Sequence, residues 1–473
     1  MSLVITLVFA LLVSLATGQT NQPEIIPNCP NQCICFTITD LFGMVSSSSG
    51  IWVNCERVKL DPSALKSIPP ASQFPEKTYG LDLSFNNISL INKTDEMPYL
   101  RYLKVSANAI QTLDEHAFEG LSGLESLTLS YNNISRIPLN LFKPLIQLKI
   151  LDLSVNSIND IAKYAFQLNG NLEQLILSHN PIKIIFSEWF ESLSGLKELK
   201  LDQTQLYSLR PEDFHRLRSL TSLDLSGNLF SSVPNQALRM LSSLQKLKIN
   251  NNPIKVLNQE SFQHMYSLIE LEVCQNDILI EIHSRSFGDL INLRNLTVAE
   301  NHDLVFMDPA AFRGIYNSTN FKLKHLSLRK NSLHSLPAYS LPFQKLEYLD
   351  LRQNPWQCDC SFLWVREIPG LVGDPRCARP DELRGIEVHQ VSEQQCHPAT
   401  HPAAPTTPMD RNPEIKIIKS LILLVSATLI FLLGMVIAFI MKRHDILGSG
   451  RKNKGSIYYV KAQTNPTPVG SLI

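Results

Sequence analysis

Cysteine is the residue type in this sequence whose spacing most clearly indicates chemistry. Eight of the nine cysteines form two groups of four that lie far apart in the chain: Cys29, Cys33, Cys35 and Cys55, and then Cys358, Cys360, Cys377 and Cys396. Grouped thiols form disulfides in oxidising compartments or bind zinc, mainly in reducing ones. Sequence alone allows three pairings within each group of four. The ninth cysteine, Cys274, stands alone and is either a half-covered free thiol or an interchain disulfide partner.

Two apolar segments indicate which compartment these cysteines occupy. Residues 1–18 carry a short apolar run that ends in small residues, which is typical of a cleaved secretory signal peptide. Residues 420–441 carry no charge, and a helix of that length reaches about 33 Å, enough for a hydrocarbon core of about 30 Å. The basic residues that follow place the tail in the cytoplasm. We therefore expect a single-pass type I protein of the plasma membrane with an extracellular N-terminus.

Motifs for enzymatic chemistry are absent from the sequence. It contains no G-x-S-x-G, no H-E-x-x-H and no phosphate-binding loop. We therefore expect that the protein is not an enzyme and that it binds no cofactor. Lys+Arg and Asp+Glu are both 43, so bulk positive charge does not favour nucleic-acid binding. The sequence does contain five Asn-x-Ser/Thr sites for N-linked sugars, all before the membrane segment: Asn87, Asn92, Asn133, Asn295 and Asn317.

The elements that position these groups follow from one repeated pattern, Leu-x-x-Leu-x-Leu-x-x-Asn-x-Leu. Six consecutive steps from Asn132 to Asn276 are each 24 residues long, which chance does not produce. The Leu-x-Leu alternation predicts a short strand with its leucines in a shared core, and the Asn amide can satisfy the backbone of the turn. Twelve residues make up this Asn column: Asn86, Asn108, Asn132, Asn156, Asn180, Thr204, Asn228, Asn252, Asn276, Asn301, Asn331 and Asn354.

A second column with the same period is mostly phenylalanine. Its members are Phe118, Phe142, Phe166, Phe190, Phe214, Leu238 and Phe262. We interpret it as a buried spine that closes the convex side of the core, with a ligand-binding aromatic row as the alternative.

These repeats, with four cysteines on either side, resemble the extracellular leucine-rich-repeat family over residues 29–396. The resemblance implies an α/β-type solenoid, a horseshoe with a parallel concave sheet of about 12 repeats and disulfide caps at both ends. It implies the pairs Cys29–Cys35, Cys33–Cys55, Cys358–Cys377 and Cys360–Cys396. The predicted order is a signal peptide (1–18), an N-terminal cysteine cap (19–77), repeats (78–356), a C-terminal cysteine cap (357–396), a Pro-rich stalk (397–419), a transmembrane helix (420–441) and a short basic cytoplasmic tail (442–473).

Binding residues are expected on the concave face, because exposed aromatic and apolar side chains on a rigid surface anchor protein partners. In the first five repeats we predict Phe85, Tyr102, Tyr131, Ile150, Val155 and Ile176 as partner-binding; alternatively they only pack on one another. Later repeats present charges of alternating sign, which favour a self-complementary ladder as much as a ligand site: Lys200, Asp224, Lys248 and Glu272.

The layout predicts a cell-surface recognition protein, an adhesion molecule or receptor, whose partner is an extracellular protein or a second copy of the chain. The alternative is an auxiliary subunit of a channel or receptor complex in the same membrane. An innate-immune pattern receptor is a third possibility, but the tail has no room for a signalling domain. The last residues, Ser471, Leu472 and Ile473, fit the form that PDZ scaffolds bind, with an inert solvated tail as the alternative.

Overall fold

The computed structural model of the protein describes residues 26–38, 50–57, 67–315 and 321–396. These residues belong to one compact unit, residues 1–399. The predicted signal peptide, Pro-rich stalk, transmembrane segment and cytoplasmic tail with its PDZ ligand lie outside the described residues, and so does Asn317. Within the described part, no helix has the length and apolar character needed to cross a membrane.

The regular elements of the described residues are mostly very short strands. In chain order they are β1 (Ile34–Ile38), β2 (Gly50–Asn54), β3 (Thr78–Asp82), β4 (Leu90–Ile91), β5 (Tyr102–Lys104), β6 (Thr112–Leu113), β7 (Ser126–Thr128), β8 (Arg136–Ile137), β9 (Ile150–Asp152), β10 (Asp160–Ile161), β11 (Gln174–Ile176), β12 (Glu198–Lys200), β13 (Ser222–Asp224), β14 (Lys246–Lys248), β15 (Val256–Leu257), β16 (Glu270–Glu272), β17 (Glu281–Ile282), β18 (Asn295–Thr297), β19 (Phe306–Met307), β20 (His325–Ser327), β21 (Tyr348–Asp350), β22 (Trp356–Gln357) and β23 (Cys377–Arg379). Two α-helices, α1 (Pro211–Phe214) and α2 (Asn235–Leu238), lie among them. The 3-10 helices are Ala71–Gln73, Ser187–Trp189, Ala338–Ser340, Phe343–Lys345, Leu363–Glu367, Asp381–Leu383 and Val388–Gln390.

The main sheet has 14 strands in the order β1-β2-β3-β5-β7-β9-β11-β12-β13-β14-β16-β18-β20-β21. From β2 onward each strand pairs in parallel with the next, and β1 pairs with β2 in the antiparallel sense. The central leucine of each repeat strand stays in register, as Leu151 does with Leu127 and Leu175. The twelve repeats each contribute one strand, and β2 from the N-terminal cap adds a further parallel turn. We number the repeats by the Asn column, so that repeat 1 contains Asn86 and repeat 6 contains Thr204.

The Asn column forms a hydrogen-bonded ladder between repeats. Asn156 shows the arrangement: its Nδ2 donates to Leu129 O and to Leu153 O, both at 3.0 Å, and its Oδ1 accepts from Ile134 N–H at 3.0 Å. One amide therefore bonds backbone groups of two adjacent repeats, and without it the Ile134 N–H would be buried without a partner. Thr204 has one polar atom in place of two, and it bonds Leu201 O within its own repeat and Asn228 Oδ1 of the next.

The core lies between the main sheet and the opposite side of the solenoid, which we call the far side. The predicted phenylalanine spine is fully buried there, with stacked rings such as Phe142 and Phe166, whose centroids are 5.7 Å apart. Phe287 and Phe312 extend it. The core interpretation of this column is correct. The far side contains much less helix than an α/β-type solenoid implies, because tight turns such as Leu121 N–H to Phe118 O at 3.0 Å hold the spine residues.

A second, thinner ladder of two-residue strands runs along one flank of the far side. It pairs β4 with β6, β8 with β10, β15 with β17, and β17 with β19, and it is interrupted between these three groups. Pro138 and Pro234 lie at two of these interruptions. Because proline has no backbone N–H, neither residue can donate the hydrogen bond that would join its segment to the preceding repeat. At repeat 5 the buried Trp189 fills a position that is alanine in several other repeats, and its indole N–H takes Ile161 O at 3.2 Å. The indole of Trp189 thus bonds the carbonyl of Ile161, which would otherwise accept from a backbone N–H of the next repeat.

Disulfides lie near both ends of the solenoid. They join Cys29 to Cys35, Cys33 to Cys55, Cys358 to Cys377 and Cys360 to Cys396, the same pairs that the resemblance implies. At the C-terminal end Trp356 is buried beneath the last repeat and stacks on Phe362, with ring centroids 4.8 Å apart. These residues cover the apolar face that an end repeat leaves without a neighbour.

Candidate functional site: the open face of the main sheet

The candidate site is the face of the main sheet that points away from the core, which we call the open face. In the three-residue strands of the main sheet the middle leucine is buried, and the two flanking residues are not, apart from Asp350 of β21. Because the strands are in register, these flanking residues form two parallel columns. One column runs from Trp52 through Tyr102 and Ile150, and the other runs from Asp82 through Lys104 and Ile176.

Aromatic side chains cluster on the open face of the first strands. The Tyr102 ring lies between Trp52 and Tyr79, with centroid distances of 6.0 and 5.5 Å. The Lys104 Nζ lies 5.6 Å from the centre of the Trp52 ring, within reach of a cation–π interaction. Burial and the adjacent Tyr102 raise the pKa of Tyr79. We call Trp52, Tyr79 and Tyr102 the aromatic cluster.

Two glycines make room for the aromatic cluster. A Cβ on Gly80 would lie 2.1 Å from the Trp52 ring, and a Cβ on Gly50 would lie 2.4 Å from Tyr79 Cβ. The rings therefore occupy the space where neighbouring strands would otherwise place side chains. An indole and two phenols, half-buried and fixed on a rigid sheet, form a surface that can anchor a protein partner.

Three of the six predicted partner-binding residues lie in the strands of the open face. Tyr102 and Ile176 are half-buried, and Ile150 is 36% exposed. Phe85, Tyr131 and Val155 were expected in the same columns, but this placement is wrong. They follow the strands, directly before the Asn column, with positive φ angles of 57°, 56° and 54°.

The positive φ angle at this position of the repeat explains why Phe85, Tyr131 and Val155 lie outside the strands. All twelve repeats have a residue in the left-handed region at this position, so the chain turns before another strand residue can be added. Phe85 and Tyr131 are exposed at 49% and 61%, on the rim beside the open face. Trp52 and Tyr79 were not predicted as site residues. The alternation of Trp52 with the buried Val53 and Cys55 was the signal that could have found Trp52.

The later repeats fill the open face with paired charges. Lys248 Nζ lies 3.0 Å from Glu272, and Lys246 Nζ lies 3.2 Å from Glu270 on the adjacent strand. Lys200 lies 3.2 Å from Glu198 of its own strand. Burial raises the pKa of Asp224. Much of this charge is therefore neutralised within the sheet.

Two predicted groups lie beside these charges. Cys274 is a half-buried free thiol after β16, and burial raises its pKa to about 11. Asn295 is the first residue of β18 on the open face, and its Oδ1 is 2.8 Å from His325 Nδ1. Asn87, Asn92 and Asn133 are exposed outside the main sheet.

Away from the open face, the described residues also form cavities and a cluster of titratable side chains. Three adjoining cavities of about 430, 450 and 610 Å³ lie where the thin far-side ladder is interrupted, beside Trp189, Phe186 and Tyr207. Near the C-terminal disulfides, Asp374, Glu387 and His389 offer ligand atoms within 4.8 Å of one another. Arg376 already pairs with Glu387 at 2.6 Å, and this positive charge disfavours a metal ion.

Comparisons with known proteins agree with this architecture. The family profile described as "Leucine rich repeat" matches residues 78–134, 98–158, 124–182, 170–230 and 242–302. Mouse chondroadherin is 35% identical over 92 residues, which are 19% of this chain and 24% of that protein. Human Leucine-rich repeat-containing protein 3B is 35% identical over 120 residues, 25% of this chain and 40% of that protein. The chain thus spans less than half the length of either relative.

A solved structure shows the same fold. It is a chain of the Drosophila Toll–Spatzle complex, with a TM-score of 0.50 and 21% sequence identity over 69% of this chain and 56% of that chain.

Proposed function

We propose that this chain, whose leucine-rich repeats and disulfides near both ends of the solenoid resemble those of cell-surface proteins, recognises an extracellular protein. We propose that it acts as an adhesion molecule or receptor, and that the partner is another protein or a second copy of the chain. The binding surface is the open face over β2 and the first five repeats.

The aromatic cluster is the observation that carries this proposal. It places Trp52, Tyr79 and Tyr102 side by side on a rigid sheet, and residues of these types dominate binding energy at protein interfaces. Ile150 and Ile176 continue the apolar surface toward the middle of the sheet. The later strands offer mainly charges that are already paired, so they contribute fewer groups to a partner.

The proposal includes a topology and its modifications. We propose a type I single-pass protein whose signal peptide is removed and whose segment 420–441 crosses the plasma membrane. The sugars are attached at Asn87, Asn92, Asn133, Asn295 and Asn317. The C-terminal Ser471, Leu472 and Ile473 bind a PDZ scaffold inside the cell.

A cell-contact assay tests the proposed function. Suspension cells that display the full chain are mixed with copies of themselves and with a panel of other cell types, and the contacts formed are counted. We expect contacts with at least one population, and we expect Ile150→Lys to abolish them at equal surface amount. Ile291→Lys is the matched control, since Ile291 is similarly exposed, at 43%, and lies outside the main sheet.

Two results would contradict the proposal. If neither variant changes contact formation, the open face of the early repeats is not the binding surface. If no cell type binds but the full chain alters a membrane current in the same cells, the auxiliary-subunit alternative is correct.

A further inference from the structure

Asn295 differs from the other described glycosylation sites because it lies within the main sheet. Its strand, β18, pairs with β16 on one side and β20 on the other, so that Asn295 stands between Glu270 and His325. Thr297, the residue that completes the Asn-x-Thr site, lies on the same face two residues later. Asn87, Asn92 and Asn133 lie in turns or on the flank.

The side chain of Asn295 has a free position for a sugar. Its Oδ1 is held by His325 Nδ1 at 2.8 Å, which orients the amide. Its Nδ2, the atom to which an N-linked sugar attaches, has no hydrogen-bond partner among the described residues. A glycosylated amide keeps its carbonyl oxygen, so the contact with His325 is compatible with the sugar.

From this geometry we propose that Asn295 is glycosylated and that its sugar shields the open face of repeats 8 to 11 from protein partners. The proposal rests on the proposed function in one respect, since it requires passage through the secretory pathway. The co-reactant is an oligosaccharide on a polyisoprenyl pyrophosphate. The bond between sugar C1 and the pyrophosphate breaks, the bond from Nδ2 to C1 forms, and the amide loses one proton. No electrons are transferred.

Neighbouring lysines lie within the volume that such a sugar would occupy. Lys246 and Lys248 are on β14, two strands from Asn295, a separation of about 10 Å at the usual strand spacing. Both lysines pair with glutamates on β16. The proposed sugar and the lysine–glutamate pairs therefore cover the same half of the open face, the half formed by the later repeats. Lys104 lies on the opposite half, beside the aromatic cluster.

Lysine labelling on living cells tests the proposal. Cells that display the full chain are treated with a membrane-impermeant amine reagent, and labelling of Lys246 and Lys248 is quantified by mass spectrometry. Thr297→Ala removes the glycosylation site but keeps Asn295, and Thr297→Ser keeps both. We expect labelling of the two lysines to rise several-fold in Thr297→Ala and to stay unchanged in Thr297→Ser, with Lys104 constant in both.

Site occupancy is measured in the same sample. Digestion with a glycan-releasing amidase in heavy-oxygen water marks each glycosylated asparagine by conversion to labelled aspartate. An unmodified Asn295 would overturn the proposal, and so would a modified Asn295 with equal lysine labelling in the two Thr297 variants. If Thr297→Ala fails to reach the surface, amidase treatment of the intact wild-type protein replaces it. Neither readout uses a binding partner, so failure here is separate from failure of the cell-contact assay.

Discussion

Gly80 has a structural role because the Trp52 ring lies where its side chain would be. Gly80→Ala should displace the indole, disrupt the aromatic cluster and destabilise the first repeats by about 1–3 kcal/mol, as overpacking does elsewhere. Tryptophan fluorescence should shift to longer wavelength, and thermal unfolding should begin at a lower temperature. Gly170→Ala is the matched control, because its added Cβ would meet nothing closer than 3.5 Å. Equal behaviour of the two variants would contradict this arrangement of Trp52.

Cys274 should be unreactive at neutral pH because burial raises the pKa of its thiol to about 11. The folded state holds the proton more strongly than the unfolded state, so stability should fall as the pH rises from about 9 to about 11. Alkylation of the native protein by iodoacetamide should be slow at pH 7 and accelerate over the same range. Cys274→Ser, the commonest residue of its column, should migrate like the wild type on a non-reducing gel. If the wild type instead migrates as a dimer on this gel and Cys274→Ser migrates as a monomer, Cys274 forms an interchain disulfide.

The limits of prediction from sequence are clearest at single residues. Phe85, Tyr131 and Val155 were assigned to strands because the alternation was continued past the Leu-x-Leu pair. The left-handed turn that ends each strand has no fixed residue type, since Phe, Tyr and Val all occupy it. Trp52 was missed because it lies in the cap, where the repeat pattern does not reach. Its contact with Tyr102 crosses two strand boundaries and depends on Gly80.

At the scale of elements, the Asn ladder is the contact that the described repeat junctions share, except the junction between repeats 5 and 6. Asn156→Ala would leave the Ile134 N–H without a partner. Leu129 O and Leu153 O would each lose one of two asparagine donors and would keep the bonds from Asn132 and Asn180. A buried N–H without a partner costs about 1–3 kcal/mol, so the variant should unfold at clearly lower urea concentration. Asn159→Ala is the control, since Asn159 is exposed and its side chain makes no hydrogen bond with the described residues. Similar midpoints for the two variants would argue against the ladder as a source of stability.

Elements whose residues recur with a strict period could be predicted from the sequence. Elements that depend on single residues outside the repeat pattern could not. The leucine, asparagine and phenylalanine columns predict the main sheet and the spine because one physical requirement recurs every repeat. The thin far-side ladder depends on single residues that depart from the pattern. Trp189 interrupts this ladder because its large side chain bonds the carbonyl of Ile161, and Pro234 interrupts it because proline has no backbone N–H to donate.

At the scale of the whole solenoid, the junction between repeats 5 and 6 lacks the Asn-ladder bonds that the other junctions of the described repeats have. Thr204 supplies no bond to Leu177 O, and the thin ladder is absent at the same place. The paired spine rings Phe190 and Phe214 are tilted by 52° instead of stacked. Because contacts in a solenoid are between neighbours, a weak junction limits how far unfolding spreads.

Amide hydrogen exchange should therefore separate two blocks. Leu153→Ala, a buried substitution that should cost about 2–5 kcal/mol, should accelerate exchange in repeats 1 to 5 and leave repeats 7 to 12 near their wild-type rates. Leu247→Ala is the matched variant in the later block and should give the reverse pattern. Acceleration throughout the solenoid by either variant would show a single cooperative unit.

The same junction determines how the protein should respond to pulling. A molecule held by a partner at its early repeats, and by the membrane beyond its late repeats as proposed, carries tension through every repeat interface in series. The interface between repeats 5 and 6 lacks both the Asn-ladder bonds and the thin ladder, so we expect it to yield first. The aromatic cluster lies several repeats away and would keep its shape while the chain lengthens. The early repeats could then hold a partner under force, with the extension absorbed elsewhere.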